Sequence, residues 1–169
     1  MAAPSTPPVQ GFAAAGAAPA PRTPTSAAAA ATAATWPGRE ALLVAAGVTG
    51  ALGVGCGAFG FHGLPRLLRA WGKNAVEVER KLLEWRIAVQ YNLLHSVAAV
   101  AALGLPDDAG RAPAAAFLAG GAVFAGGIQG YVLTGSKVLQ YATPVGGITM
   151  MAGWASLSAA HLRQLMERS

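Results

Sequence analysis

Charge is what this chain has least of. Only 11% of its 169 residues are Asp, Glu, Lys or Arg, against about 25% in ordinary soluble domains. No acidic residue precedes Glu40, and no charged residue stands between Ala41 and Leu64. An uncharged run of that length is long enough to cross a bilayer as a helix, which takes about 20 apolar residues. The charges that exist are crowded together: Arg66, Arg69, Lys73, Glu77, Glu79, Arg80, Lys81, Glu84 and Arg86 share one short segment. A bilayer imposes such segregation, because a charge at the centre of a spanning helix costs about 2.5–3.5 kcal/mol on insertion scales.

Other shortages exclude whole classes of function. There is one cysteine, Cys56, so an internal disulfide is impossible, and its position in an apolar run reads as a small buried residue. No nucleophile–base pair and no set of His, Cys and acidic residues at metal-ligand spacing occurs. The glycines follow no strand, so they do not form a phosphate loop. No catalytic residue, metal or cofactor is expected. The net charge of +5 does not point to nucleic acid, because the basic residues alternate with glutamates between apolar spans. A membrane surface accounts for them better.

The chain divides by composition. Residues 1–39 are rich in Ala, Pro, Ser and Thr, with Arg22 and Arg39 as their only charges. Such a segment cannot bury enough side chain to fold alone, and an acid-free leader resembles an organelle transit peptide. Residues 40–162 read as an all-α integral membrane domain of four transmembrane helices, at about 40–61, 85–105, 112–134 and 141–161. A short polar tail, 163–169, closes the chain. The later connections are short and rich in helix breakers, which makes consecutive helices antiparallel neighbours.

The first connection is longer. Leu64, Leu67, Leu68, Trp71, Ala75, Val78, Leu82 and Trp85 recur at helical spacing, with Arg66, Arg69, Lys73, Arg80 and Lys81 between them. This pattern predicts a basic amphipathic helix, broken near Gly72, lying in the headgroup layer between the first and second spans. Its flanking tryptophans suit that layer. Seven basic residues fall on the side of this connection and five on the other, which places it on the cytoplasmic or matrix-like side.

Small residues are what the spans have in plenty. Helices in lipid gain little from burying leucine on leucine, so close approach of small residues drives their association. Gly53, Gly57 and Gly60 mark the first span. Gly126 and Gly130, with Gly127 beside them, mark the third. Gly146, Thr149, Gly153, Ser156 and Ala160 share a face of the fourth. These faces predict one tight bundle, with room for other membrane subunits to dock against some of them.

The second span carries the polar residues. Ala88, Tyr91, Asn92, His95, Ser96 and Ala99 share one helical face, and Leu93, Leu94, Val97 and Ala101 form the lipid-facing opposite. Tyr91, Asn92 and His95 then point into the bundle, with His95 about 15 Å below the level of Trp85. An ionisable residue at that depth is a candidate site. Haem ligation by His62 and His95 fails on depth, since His62 ends its span. A proton or solute path through Tyr91, Asn92 and His95 lacks an acidic partner within any span. A neutral His95, hydrogen-bonded to a neighbouring helix and holding the bundle in register, fits best. His62 reads as a C-terminal cap of the first helix, and His161 as interfacial.

Three blocks resemble a known family. They are Gly57-Ala58-Phe59-Gly60-Phe61-His62-Gly63-Leu64; Trp85 with Ala88, Val89, Tyr91, His95 and Ser96; and Leu133-Thr134-Gly135, Thr143-Pro144-Val145-Gly146-Gly147 and Gly153-Trp154. In this order they are similar to transmembrane protein 256 and its bacterial relatives, small multi-pass membrane proteins of unknown function. The resemblance implies a compact bundle of membrane helices and brings no activity or cofactor. Where that family has a Ser-Gly-Ser-Leu-Tyr-like stretch, this chain reads Ala125-Gly126-Gly127-Ile128-Gln129, so no role for those polar residues carries over. The expectation is a non-enzymatic accessory component of an organelle membrane, the mitochondrial inner membrane by preference, with the bilayer and other membrane subunits as partners. The alternative is a small-solute or proton transporter component lined by Tyr91, Asn92 and His95.

Overall fold

The uncharged run after Glu40 winds into one uninterrupted helix, which its lack of any proline allows. The computed structural model describes residues 37–106 and 108–168. The leader read as a transit peptide lies almost wholly outside them. Five helices and no strand occur among the described residues: α1 (Arg39–His62), α2 (Leu64–Ala70), α3 (Ala75–Ala102), α4 (Arg111–Thr134) and α5 (Lys137–Arg168).

The long helices α1, α3, α4 and α5 pack in chain order. The α4–α5 hairpin makes the most extensive contact, followed by α3 with α4 and then α1 with α3. The α4–α5 turn hinges on Gly135, whose φ of 73° closes α4 in a left-handed cap. Two helices, α1 and α4, are long and apolar enough to cross a membrane. The four expected spans are therefore only half visible by apolar composition. Arg86, Gln90, Asn92 and His95 lower the average of α3, and Gln140, Thr143 and His161 that of α5. Large apolar side chains nonetheless face outward on all four. Val44 is 67% exposed, and Leu52, Val97 and Ile148 are exposed to a similar degree.

The basic connection differs from its expected form. Only α2, seven residues long, is a separate helix. The chain breaks at Trp71–Asn74, where Gly72 takes a φ of 74°. From Ala75 onward the residues expected in an interfacial helix are the first turns of α3, which runs unbroken to Ala102. A capping box starts it: Asn74 Oδ1 accepts from the Glu77 N–H at 3.0 Å, and the Asn74 N–H donates to Glu77 Oε2 at 3.3 Å. Nothing between Arg80 and Trp85 can stop a helix once it has begun. Lys81, expected on the polar face, is 93% buried by the same continuity, with 7% of its surface exposed. Residues 163–168, expected as a polar tail, extend α5.

Two apolar clusters form the core. One joins Leu42, Ala46, Ala99, Leu103, Phe117 and Leu118, and the other joins Leu64, Leu68, Val78, Trp85, Val89 and Val132. In α3, Val78, Trp85 and Val89 belong to one cluster and Ala98, Ala99 and Ala102 to the other. Asn92, His95 and Ser96 lie between them.

The glycines set how near the helices come. A Cβ on Gly53 would stand 2.7 Å from Leu93 Cδ2, and one on Gly60 would stand 2.5 Å from Trp85 Cδ1. Gly57 meets Val89 at an ordinary 3.6 Å. In the α4–α5 hairpin the contact is backbone on backbone. A Cβ on Gly120 would lie 2.8 Å from the Gly146 oxygen, and one on Gly146 would lie 2.6 Å from the Gly120 oxygen. Gly130 meets Leu139 and Gly153 meets Phe117, each at 2.7 Å. Gly126 is a correction: nothing lies within 4 Å of its Cβ position. One residue on a helix is a 100° turn, and it is Gly127, 2.8 Å from the Leu139 oxygen, that faces α5. The face of α3 is likewise corrected at Leu93, which packs toward α1 rather than toward lipid.

Candidate functional site: the polar centre of the bundle

The polar stripe of α3 sits between the two apolar clusters, where an unpaired hydrogen-bonding group costs about 1–3 kcal/mol. Asn92, His95 and Ser96 each find a partner. Asn92 Nδ2 donates to the Thr49 carbonyl of α1 at 3.1 Å. Ser96 Oγ donates to the Leu93 carbonyl at 2.8 Å. Trp85, one end of the stripe, donates from Nε1 to the Cys56 carbonyl at 2.8 Å. Asn92 and Trp85 thus tie α3 to two successive levels of α1.

His95 is 4% exposed. Trp154 of α5 donates from Nε1 to His95 Nε2 at 3.2 Å. An indole N–H can only donate, so Nε2 is the acceptor. His95 Nδ1 then carries the ring proton and donates to the Tyr91 carbonyl at 2.9 Å. The imidazole is held as one neutral tautomer with both nitrogens used. Around it the rings of Phe117 and Trp154 stand at centroid distances of 5.6 and 6.2 Å, and these two lie 4.8 Å from each other.

Tyr91 departs from the sequence reading. It is 42% exposed and sits at the rim of the bundle, stacked on Phe124 at 4.8 Å and on the His95 ring at 5.8 Å. Of the three expected cluster residues, Asn92 and His95 face inward on different neighbours, and Tyr91 closes the side. His62 is exposed and edges against Phe61 at 4.9 Å. The α1 end is capped by the Gly63 N–H on the Phe59 carbonyl, not by His62. His161 bonds only back to its own helix, at the Leu157 carbonyl.

Several residues that organise this centre were not singled out as site residues. Trp154 appeared only inside a family motif, and Phe117 not at all. Gln129, in the stretch that departs from the family pattern, accepts from the Cys56 thiol at 3.9 Å and links α4 to α1. Lys81 lies at the loop end of the bundle. Its Nζ donates to the Val132 carbonyl in the last turn of α4 at 3.4 Å and stands 4.6 Å from the Tyr131 ring centre. A cation at a helix C-terminus meets its partial negative charge. Among the described residues no three His, Cys, Asp or Glu side chains gather where a metal could bind.

The fold and its centre define a class: an all-helical bundle with apolar outer faces and a hydrogen-bonded polar layer inside. The chain belongs to the family described as "Protein of unknown function (DUF423)", matched over residues 56–147. Its relatives carry membrane-protein names. It is 32% identical to a UPF0382 membrane protein of Schizosaccharomyces pombe, over 66% of this chain and 93% of that one. It is 31% identical to a UPF0382 membrane protein of Haemophilus influenzae, over 71% and 92%. It is 30% identical to the UPF0382 inner membrane protein YgdD of Escherichia coli, over 72% and 89%. No solved structure matches the chain.

Proposed function

We propose that this chain is a four-span membrane protein acting as a structural or accessory component of a membrane complex, with α1, α3, α4 and α5 as the spans. The observation that carries this reading is how the polar groups of α3 are used. Asn92 and Trp85 bond to α1, and His95 takes a bond from α5. Groups committed to neighbouring helices fix register, and none of these three is left to relay a proton or a solute. The open glycine positions Gly47, Gly55 and Gly126, with nothing within 4 Å, are places where a further helix can approach closely. We place the protein in an organelle membrane, the mitochondrial inner membrane by preference, on the acid-free, Ala/Pro/Ser/Thr-rich composition of residues 1–39.

The experiment is purification in mild detergent followed by reconstitution. A stoichiometric membrane partner and proton-tight liposomes are expected. Proton or solute flux that disappears in His95→Ala would replace this reading with transport through Tyr91, Asn92 and His95.

A further inference from the structure

One buried polar atom has no use in this account. Glu84 Oε2 is shielded from solvent and makes no hydrogen bond. The residue lines a cavity of about 270 Å³ between α3 and the α4–α5 hairpin. Glu84 is in no ion pair within 4 Å: those among the described residues are Lys73–Glu77 and Arg111–Asp108. Lys81, one turn earlier, is held instead by the Val132 carbonyl and the Tyr131 ring.

The rest of the cavity wall offers acceptors. Pro144 lies inside α5 and has no N–H to give the Gln140 carbonyl, four residues before it. Gln140 and Thr143 both line the cavity. The Thr143 hydroxyl gives its hydrogen to the Leu139 carbonyl at 3.4 Å, which leaves its lone pairs free. Ile87, Ile128 and Tyr131, whose ring carries the Lys81 ammonium at 4.6 Å, complete the wall. Glu84, Gln140 and Thr143 therefore bring a carboxylate, a freed carbonyl and a hydroxyl oxygen to the wall of a largely apolar space.

We propose that this cavity binds a primary ammonium group carried on an apolar body. Three N–H donors on one nitrogen match the three acceptors, and the positive charge answers the unpaired carboxylate. A single carboxylate is too little for a divalent metal, which gathers several oxygen ligands. Depth favours an amphiphile. Glu84 is next to Trp85, and the cavity lies by the C-terminal end of α4 and the start of α5, so in a spanning bundle it sits at headgroup level. The headgroup of an aminophospholipid and a soluble alkylamine share this chemistry. The inference rests on the four-span reading for the first source and not for the second.

The test uses the full chain in detergent, with native mass spectrometry of retained lipid. Phosphatidylethanolamine and phosphatidylcholine with identical acyl chains are supplied in equal amounts. Only the ethanolamine nitrogen has hydrogens to donate, so the wild type retains phosphatidylethanolamine over phosphatidylcholine by about tenfold or more. Glu84→Gln reduces that preference to near unity. Pro144→Ala returns an N–H to the Gln140 carbonyl without changing charge, and lowers the preference severalfold. It also serves if Glu84→Gln fails to fold. Butylamine, added without lipid, separates the sources. Saturable, Glu84-dependent protection against thermal unfolding assigns the site to the ammonium itself. Lipid selection without such protection assigns it to the headgroup. Equal retention of both lipids together with no butylamine effect overturns the proposal. Release of the chain from membranes by alkaline carbonate would overturn the four-span reading instead, and leaves the butylamine result to stand on its own.

Discussion

Trp154 and His95, 59 residues apart, meet by an indole N–H donated to imidazole Nε2 at 3.2 Å. The pair joins α5 to α3 at the level where the two apolar clusters of the core divide. It also decides the chemistry of His95: with Nε2 accepting and Nδ1 donating to Tyr91, the ring serves as a neutral connector. Trp154→Phe keeps an aromatic ring against Phe117 and removes the donor together with part of the indole ring. It should cost at least about 1 kcal/mol, the net scale of one hydrogen bond, read as a lower midpoint in thermal unfolding.

Gly120 and Gly146 give the sharpest steric prediction. A methyl at either would strike the other helix's backbone carbonyl, which cannot move aside as a side chain can. Gly146→Ala should destabilise the protein by about 1–3 kcal/mol, the range for overpacked interiors. Gly126→Ala, on the same hairpin but facing open space, should change stability by less than about 0.5 kcal/mol. Thermal unfolding of the two variants in one detergent makes the comparison.

Gly60 carries the α1–α3 contact onto a fluorophore. Its Cβ position falls against the Trp85 ring, and that ring bonds to the Cys56 carbonyl. Gly60→Ala should push the indole off its partner and red-shift the Trp85 contribution to the emission. Gly57→Ala, whose Cβ would meet Val89 at an ordinary contact distance of 3.6 Å, should leave the spectrum alone. Single-tryptophan versions of the chain isolate the signal.

The capping box, in the first turn of α3 and ahead of Trp85, predicts a pH dependence at the loop end of the bundle. The Asn74 N–H bond, and then the Lys73 ammonium 3.4 Å away, hold the Glu77 carboxyl below its ordinary value of 4.5. A carboxyl lowered by folding stabilises the fold at pH above its unfolded value. That contribution is lost as pH falls through the lower, folded value. Glu77→Gln should therefore flatten the loss of stability on the acid side of pH 4.5, and a helix-content titration by circular dichroism reads it.

Which parts of this structure were legible beforehand follows from the range over which each signal acts. The uncharged run of α1 and the Gly135 turn are local facts, and both appear where the sequence places them. Lys81 was misread because a charge pattern ranks lysine as outward. Yet Val78, Lys81, Trp85 and Ala88 form one buried stripe, and the carbonyl that receives Lys81 lies 51 residues away. Adjacent glycines posed the same difficulty. Spacing along α4 cannot say whether Gly126 or Gly127 faces α5, because Leu139 and Thr143 decide it. Asn92 and His95 were legible as inward-facing from periodicity alone, whereas their partners, Thr49 and Trp154, belong to other helices.

The central claim is that the polar centre ties helices together, and His95 with Trp154 tests it most directly. The measurement is a double-mutant cycle of His95→Ala and Trp154→Phe, with unfolding free energies taken in the same lipid or detergent. The account predicts that each single variant is destabilised and that the two losses fail to add, with a coupling of about 0.5–1.5 kcal/mol. Strict additivity, or a His95→Ala protein as stable as the wild type, would contradict it.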